Sequence, residues 1–197
     1  MLIPILIGVV VLIAIVAIVV SLQPSAFRVE RSASIESPLS RVFANVNDLR
    51  TWEDWSPWAK IDPNCTMTYE GPPTGTGSSM HWSGNNKVGE GKMTITESRP
   101  SEYIRFALNF FRPFKANNVA EFTFQPQGNG TRITWIMSGD KNFMCKIFGL
   151  LMSMDKMVGK DFEKGLSQLK AISEGAPREA ADGPARDFVG KEQHAIA

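Results

Sequence analysis

Val88-Gly-Glu-Gly-Lys-Met-Thr-Ile-Thr-Glu97 is followed, after Ser98-Arg99-Pro100-Ser101-Glu102, by Tyr103-Ile-Arg-Phe-Ala-Leu-Asn-Phe110. In both halves apolar and polar residues alternate with a period of two, as in a strand with one face in a core and the other in water. Arg99-Pro100-Ser101 interrupts the alternation with turn chemistry, so the two halves form an antiparallel hairpin. Glu90, Lys92, Thr94 and Thr96 make the polar row, which turns Gly89, Gly91, Met93 and Ile95 inward, together with Ile104, Phe106 and Leu108 of the second strand. Working outward, the same pattern recurs over Cys65–Glu70, Ser78–Ser83, Asn117–Gln125 and Thr131–Ser138. It is broken at Gly71-Pro72-Pro73, Gly84-Asn85-Asn86, Arg112-Pro113 and Gly128-Asn129-Gly130.

A further strand, Phe27–Ile35, precedes these. Between it and the strand run, Ser37-Pro38 reads as an N-cap and first helical position for Leu39, Val42, Phe43 and Val46, and Asn47-Asp48 restarts the chain into a second short helix, Leu49–Trp55. After the last strand, Ile147, Leu151, Met154, Val158, Phe162, Leu166, Leu169 and Ile172 recur at helical steps and mark one long amphipathic helix. The order strand, two short helices, six strands, long helix predicts an α+β domain whose antiparallel sheet, of about seven strands, curls around the C-terminal helix. Residues 174–197 turn to Gly, Ala, Pro and charge and read as a disordered tail.

The chain has 197 residues, 21 Lys plus Arg against 20 Asp plus Glu, and a net charge of +1. None of these charges precedes Arg28. Ile5–Leu22, between Pro4 and Pro24, is Ile/Val/Leu/Ala interrupted by Gly8 and Ser21. As a helix it spans about 27 Å, close to the ~30 Å of a bilayer core. With no basic n-region and no convincing A-x-A site it reads as a retained transmembrane anchor within residues 1–26 rather than a cleaved signal. The protein is then expected to be single-pass, with the bilayer as a partner. Arg28 and Arg31 beyond the span favour a cytoplasmic domain. Balanced charge without basic runs excludes a dedicated nucleic-acid binder, and two cysteines, Cys65 and Cys145, are too few for a disulfide scaffold or a structural zinc site. No protein partner is indicated.

Trp52-Glu-Asp-Trp55-Ser-Pro-Trp58, Asp62-Pro63-Asn64, Tyr69-x-Gly71-Pro72, Gly75-x-Gly77, Trp82-x-Gly84-Asn85 and Gly89-x-Gly91-x-Met93-x-Ile95 form an ordered set. Over about residues 27–173 this set resembles the polyketide cyclase/dehydrase family of the START-like (SRPBCC) superfamily. The resemblance implies the helix-grip fold and an apolar cavity between curved sheet and long helix. That superfamily includes lipid carriers, hormone receptors, cyclases and co-chaperones, so fold alone assigns no reaction.

Alternation and resemblance together nominate Met67, Tyr69, Met80, Trp82, Met93, Ile95, Phe106, Leu108, Phe122, Trp135 and Met154 as ligand-binding cavity wall, with plain core as the competing reading. Trp52 and Trp55 share a helical face and serve either as a hydrophobic plug or as a gate. Phe111 and Phe114, interleaved with Arg112 and Lys115 at a hairpin tip, are candidates for the cavity mouth or membrane contact, unless they fold back over the sheet rim. Phe148 and Met152 join them because the start of the last helix is apolar nearly all round. No catalytic constellation, metal set or cofactor fingerprint is found: His81 and His194 are isolated, and Glu53 and Asp54 point apart. The expectation is therefore a membrane-anchored, non-catalytic module for a hydrophobic small molecule or lipid. A cyclase or dehydratase acting on an apolar substrate, and a protein-interaction or stress-response module, stand as alternatives.

Overall fold

The computed structural model describes residues 2–141, 146 and 154–175, without the side chains at 2, 3, 9, 12, 13 and 154. Helix α1 (Leu2–Leu22) leads into β1 (Ala26–Ile35), α2 (Leu39–Asn47), a single 3-10 turn (Leu49–Thr51) and α3 (Trp52–Trp55). Six strands follow: β2 (Thr66–Glu70), β3 (Ser79–Ser83), β4 (Glu90–Arg99), β5 (Tyr103–Arg112), β6 (Ala116–Gln127) and β7 (Gly130–Asp140). The last described helix is α4 (Met154–Ser173). Among the described residues no helix is long and apolar enough to cross a membrane, so the anchor expected over Ile5–Leu22 is not established by the fold. The backbone of α1 is nevertheless one continuous helix of 21 residues, with neither acidic residues in its first turn nor basic ones in its last.

The seven strands form one sheet, in the order β1-β7-β6-β5-β4-β3-β2, with every pairing antiparallel. β2 to β7 are successive hairpins, and β1 closes on β7 from Ala26↔Asp140 to Ile35↔Thr131. Register shifts at Glu90/Gly91 and Ile95/Glu97 put bulges into β4, and bulges bend a strand and add twist.

Two local expectations need correction. Ser37 does not cap α2: Pro38, at φ −55° and ψ 140°, is still extended, so the helix starts at Leu39 without a side-chain cap. The Ser37 carbonyl instead accepts the Thr131 hydroxyl at 2.9 Å. Gly89 does not face inward on β4, because it precedes the strand with φ +72°, and a Cβ there would lie 2.3 Å from the Arg112 carbonyl oxygen. Only glycine takes that turn at this approach.

Trp135 is the centre of the core. Phe122 stacks on it at 4.9 Å and Phe162 of α4 at 4.0 Å, while Trp52, Trp55 and Trp58 meet it edge-on. Trp52 and Trp55 fasten α3 to the end of α2, their indole N–H groups donating to the carbonyls of Val46 (3.0 Å) and Asn45 (3.1 Å). Phe162, Leu166 and Leu169 carry the buried stripe of α4, and Gly165 lets that helix approach so closely that a Cβ would sit 2.9 Å from the Trp135 ring. Arg31, on the inward face of β1, donates to Glu163 at 2.8 Å and to Asp155 at 2.9 Å. Among the strands α4 packs chiefly on β1, with α2 and α3 beside it. It leaves a cavity over part of the inward face of β2 to β5.

Candidate functional site

Two cross-strand rows occupy that part of the face. Tyr69, Met80, Met93 and Leu108 stand opposite one another across β2 to β5, and Met67, Trp82 and Gly91 form the neighbouring row, which Phe110 completes. Gly91 makes room for a neighbouring side chain. The Trp82 indole occupies its side-chain space, and a Cβ would lie 2.4 Å from that ring.

Above the rows lies a cavity of about 410 Å³, within the size range of small-molecule sites. Of the nominated wall residues, Met67, Met80, Trp82, Met93, Leu108 and Trp135 line it. Ile95, Phe106 and Phe122 do not; they are fully buried in the aromatic core beneath. Tyr69 is turned aside, its hydroxyl donating to Glu53 at 2.8 Å. The Met154 side chain lies outside the description, as do Phe148 and Met152. Trp52 lines the cavity from the α3 side, whereas Trp55 is sealed in the core. Phe111 and Phe114 do not line it and are 43% and 52% exposed, Phe111 with its ring 6.2 Å from that of His81.

Sequence reasoning passed over Phe110, Ala120, Met137, Val158 and Phe162 as wall. Phe110 and Met137 continue alternations already noted, and Val158 and Phe162 belong to the helical stripe, so periodicity held their signal. The mouth residues Glu53, Cys65, Lys87, Arg112, Pro113, Met157 and Asp161 gave no such signal, because most come from turns and strand ends that have no period. Trp135, Ala120 and Met93 form the buried end, and exposed Lys87, Arg112, Pro113 and Met157 mark the opening.

The ionisable groups on the cavity are Glu53, Cys65, Lys87, Arg112 and Asp161. Arg112 is engaged with Glu90 at 2.6 Å and Ser83 at 3.1 Å. Burial, then the Asp62 charge, pushes the Cys65 thiol up and keeps it protonated. Burial and the Glu53 hydrogen bond likewise raise the Tyr69 phenol, whose ring also carries Arg50 at 5.0 Å. His81 lies on the other face of the sheet, 3.4 Å from Glu90. Among the described residues no group of three His, Cys, Asp or Glu is placed to hold a metal. The described site is an apolar chamber with its charges at the rim, an arrangement suited to desolvating a hydrophobic molecule.

The carboxylates paired with cations give the domain an acid limit. Hydrogen bonds hold Glu70 (to Lys92), Glu90 (to Arg112), Asp155 (to Arg31) and Glu174 (to Lys170) below their ordinary values of 4.5, or 3.8 for Asp155. Depressed carboxylates add stability that is complete above the unfolded value and lost as pH falls through the folded one. Thermal melts should therefore decline gradually below about pH 4.5. Added salt should flatten the decline, because these groups are solvent-exposed and screened.

Residues 26–174 match the family model described as polyketide cyclase / dehydrase and lipid transport. The chain belongs to that family. No curated protein matches. Solved structures similar to this chain share its fold at low identity. Protein CV1439 from Chromobacterium violaceum is 16% identical with a TM-score of 0.54, over 77% of this chain and 99% of its own. The di-domain ARO/CYC StfQ from the steffimycin biosynthetic pathway is 10% identical with a TM-score of 0.56, over 76% of this chain and 51% of its own. DynU16, a putative protein in the dynemicin biosynthetic locus, is 16% identical with a TM-score of 0.52, over 77% of this chain and 49% of its own. The seven-stranded curved sheet with its C-terminal helix fits the helix-grip architecture of the START-like superfamily.

Proposed function

We propose that this chain is a membrane-anchored binding module whose helix-grip domain holds a hydrophobic small molecule or lipid chain without transforming it. The cavity wall carries the reading. Met67, Met80, Met93, Met137 and Met157 all face the 410 Å³ space. Flexible, polarisable thioethers adapt to apolar ligands of varied shape better than rigid side chains do. The family's description as lipid transport agrees with such a cargo. The anchor in this proposal rests on the sequence of α1, which is charge-free over 21 residues, with Ile5, Leu6, Ile7, Val10 and Ile18 exposed. A charge-free apolar run of that length matches the hydrocarbon thickness of a bilayer.

A polyketide cyclase or dehydratase is the second reading. It is favoured by Glu53 and Asp161 at the cavity rim and by the biosynthetic setting of the similar proteins StfQ and DynU16. Native mass spectrometry of the full chain in detergent, with organic extraction of what co-purifies, tests the first. A bound apolar molecule recovered unchanged after incubation is the expected result. An empty protein whose tryptophan fluorescence responds to neither fatty acids, phospholipids nor aromatic polyketides overturns it, and a chemically altered ligand establishes the enzyme.

A further inference from the structure

Strand register gathers four features at one edge of the sheet. β1 begins there and β7 ends there, at Ala26↔Asp140; β5 ends there at Arg112, opposite Glu90. α1 stops at Leu22, three residues short of β1, a tether of about 10 Å at most. That tether is pinned to the edge: the Ser25 carbonyl accepts from the Lys141 N–H at 2.7 Å, and the Ser25 hydroxyl lies 3.1 Å from Lys146 Nζ. The β5–β6 tip, with Phe111 and Phe114 exposed, stands three strands from β1, roughly 14 Å away. The open end of the cavity, at Lys87, Arg112, Pro113 and Met157, faces the same way.

The edge near α1 carries Arg28, Lys87, Arg112, Lys115, Lys141 and Lys146 against Glu30, Glu53, Asp62, Glu90, Asp140 and Asp161. Asp62 is buried, its carboxylate accepting from the backbone N–H groups of Asn64 and Asn85; Glu90 is paired with Arg112 and Glu30 with Arg28, and Glu53 accepts from the Tyr69 hydroxyl, so Lys87, Lys115, Lys141 and Lys146 stand against Asp140 and Asp161. The far edge carries Glu36, Asp48, Glu70, Glu97, Glu102 and Glu174 against Arg41, Arg50, Arg99, Arg132 and Lys170.

We infer that the near edge docks on an anionic bilayer surface, with the Phe111 and Phe114 rings in the headgroup region and the cavity mouth facing the leaflet. Exposed aromatics flanked by cations are the chemistry that binds such an interface, and juxtamembrane lysines are drawn to anionic lipid within a Debye length. The short tether leaves the domain no way to stand clear of the surface. The inference rests on α1 being the anchor. It also deepens the binding reading, because a ligand passes between leaflet and cavity without crossing water.

Hydrogen–deuterium exchange on the full chain tests it, in nanodiscs of phosphatidylcholine alone, in nanodiscs containing phosphatidylglycerol, and in detergent. The expected result is slowed exchange over residues 84–89 and 110–116 in nanodiscs, more with phosphatidylglycerol, and unchanged exchange at the far-edge turns 71–78 and 99–102. Phe111→Ser/Phe114→Ser should lose the tip protection while α1 stays protected. Protected α1 amides with an unprotected wild-type tip overturn the docking and leave the anchor standing. Unprotected α1 amides remove the anchor and the docking together. Equal protection of the double variant, or of the far edge, also overturns the proposal. Ligand recovery by mass spectrometry reports the cavity reading separately from all of these.

Discussion

Trp135→Ala should lower the melting temperature of the domain by on the order of 10 °C. The indole is almost fully buried, stacked between Phe122 and Phe162 and edged by three further tryptophans. Truncating such a residue costs about 3–5 kcal/mol, and each kcal/mol moves the midpoint of a domain this size by about 2–4 °C. The loss reaches every layer, because Trp135 is where β7, β6, α3 and α4 meet. Near-UV circular dichroism during thermal melting of the full chain in detergent measures it. A midpoint within about 2 °C of the parent would show that the aromatic cluster does not hold α4 to the sheet.

Met93→Trp should cut affinity for apolar ligands about 10- to 50-fold while leaving the fold intact. Met93 lies mid-row between Met80 and Leu108 and lines the cavity. A larger ring there displaces two or three ligand methylenes, each worth about 0.8 kcal/mol, or about 2 kcal/mol in all. Met93 is buried at the inner end of the cavity, where the ring can grow into the void, so the overpacking cost that a fully packed core site would show is reduced. Fluorescence titration with a fatty acid series checks this, alongside a melt of the variant. Ile95→Trp is the contrast: Ile95 is fully buried and does not line the cavity, so that change should damage stability first. Unchanged affinity for Met93→Trp would place the ligand elsewhere.

Much of the architecture was legible along the chain because strands and helices repeat at fixed spacings. The alternation Met93-Thr94-Ile95 against Phe106-Ala107-Leu108 put the hairpin in register, and the buried Phe162, Leu166 and Leu169 answer to the helical stripe. Boundaries were less legible. Both Gly89 and Ser37 sit where backbone conformation, rather than side-chain type, decides whether a strand or helix has begun. Phe148, Met152 and the tail beyond Gly175 lie outside the described residues.

The sequence by itself determined the order of elements, which face of each strand turns inward, and the charge-free helix ahead of the domain. Each of these follows from spacing along one chain, fixed by local geometry. It did not separate wall from floor, since Met80, Met93, Ile95, Phe106 and Phe122 look alike when alternation is the only guide. Tertiary structure decided that. Trp52 and Trp55 of α3 pack on Phe106 and Phe122, so the core closes there, while Met67, Met80 and Met93 border the cavity. Only the antiparallel register brought Lys87, Arg112, Phe114 and the end of α1 to a single edge, because residues far apart in sequence become neighbours through hydrogen-bonded pairing that no local pattern encodes.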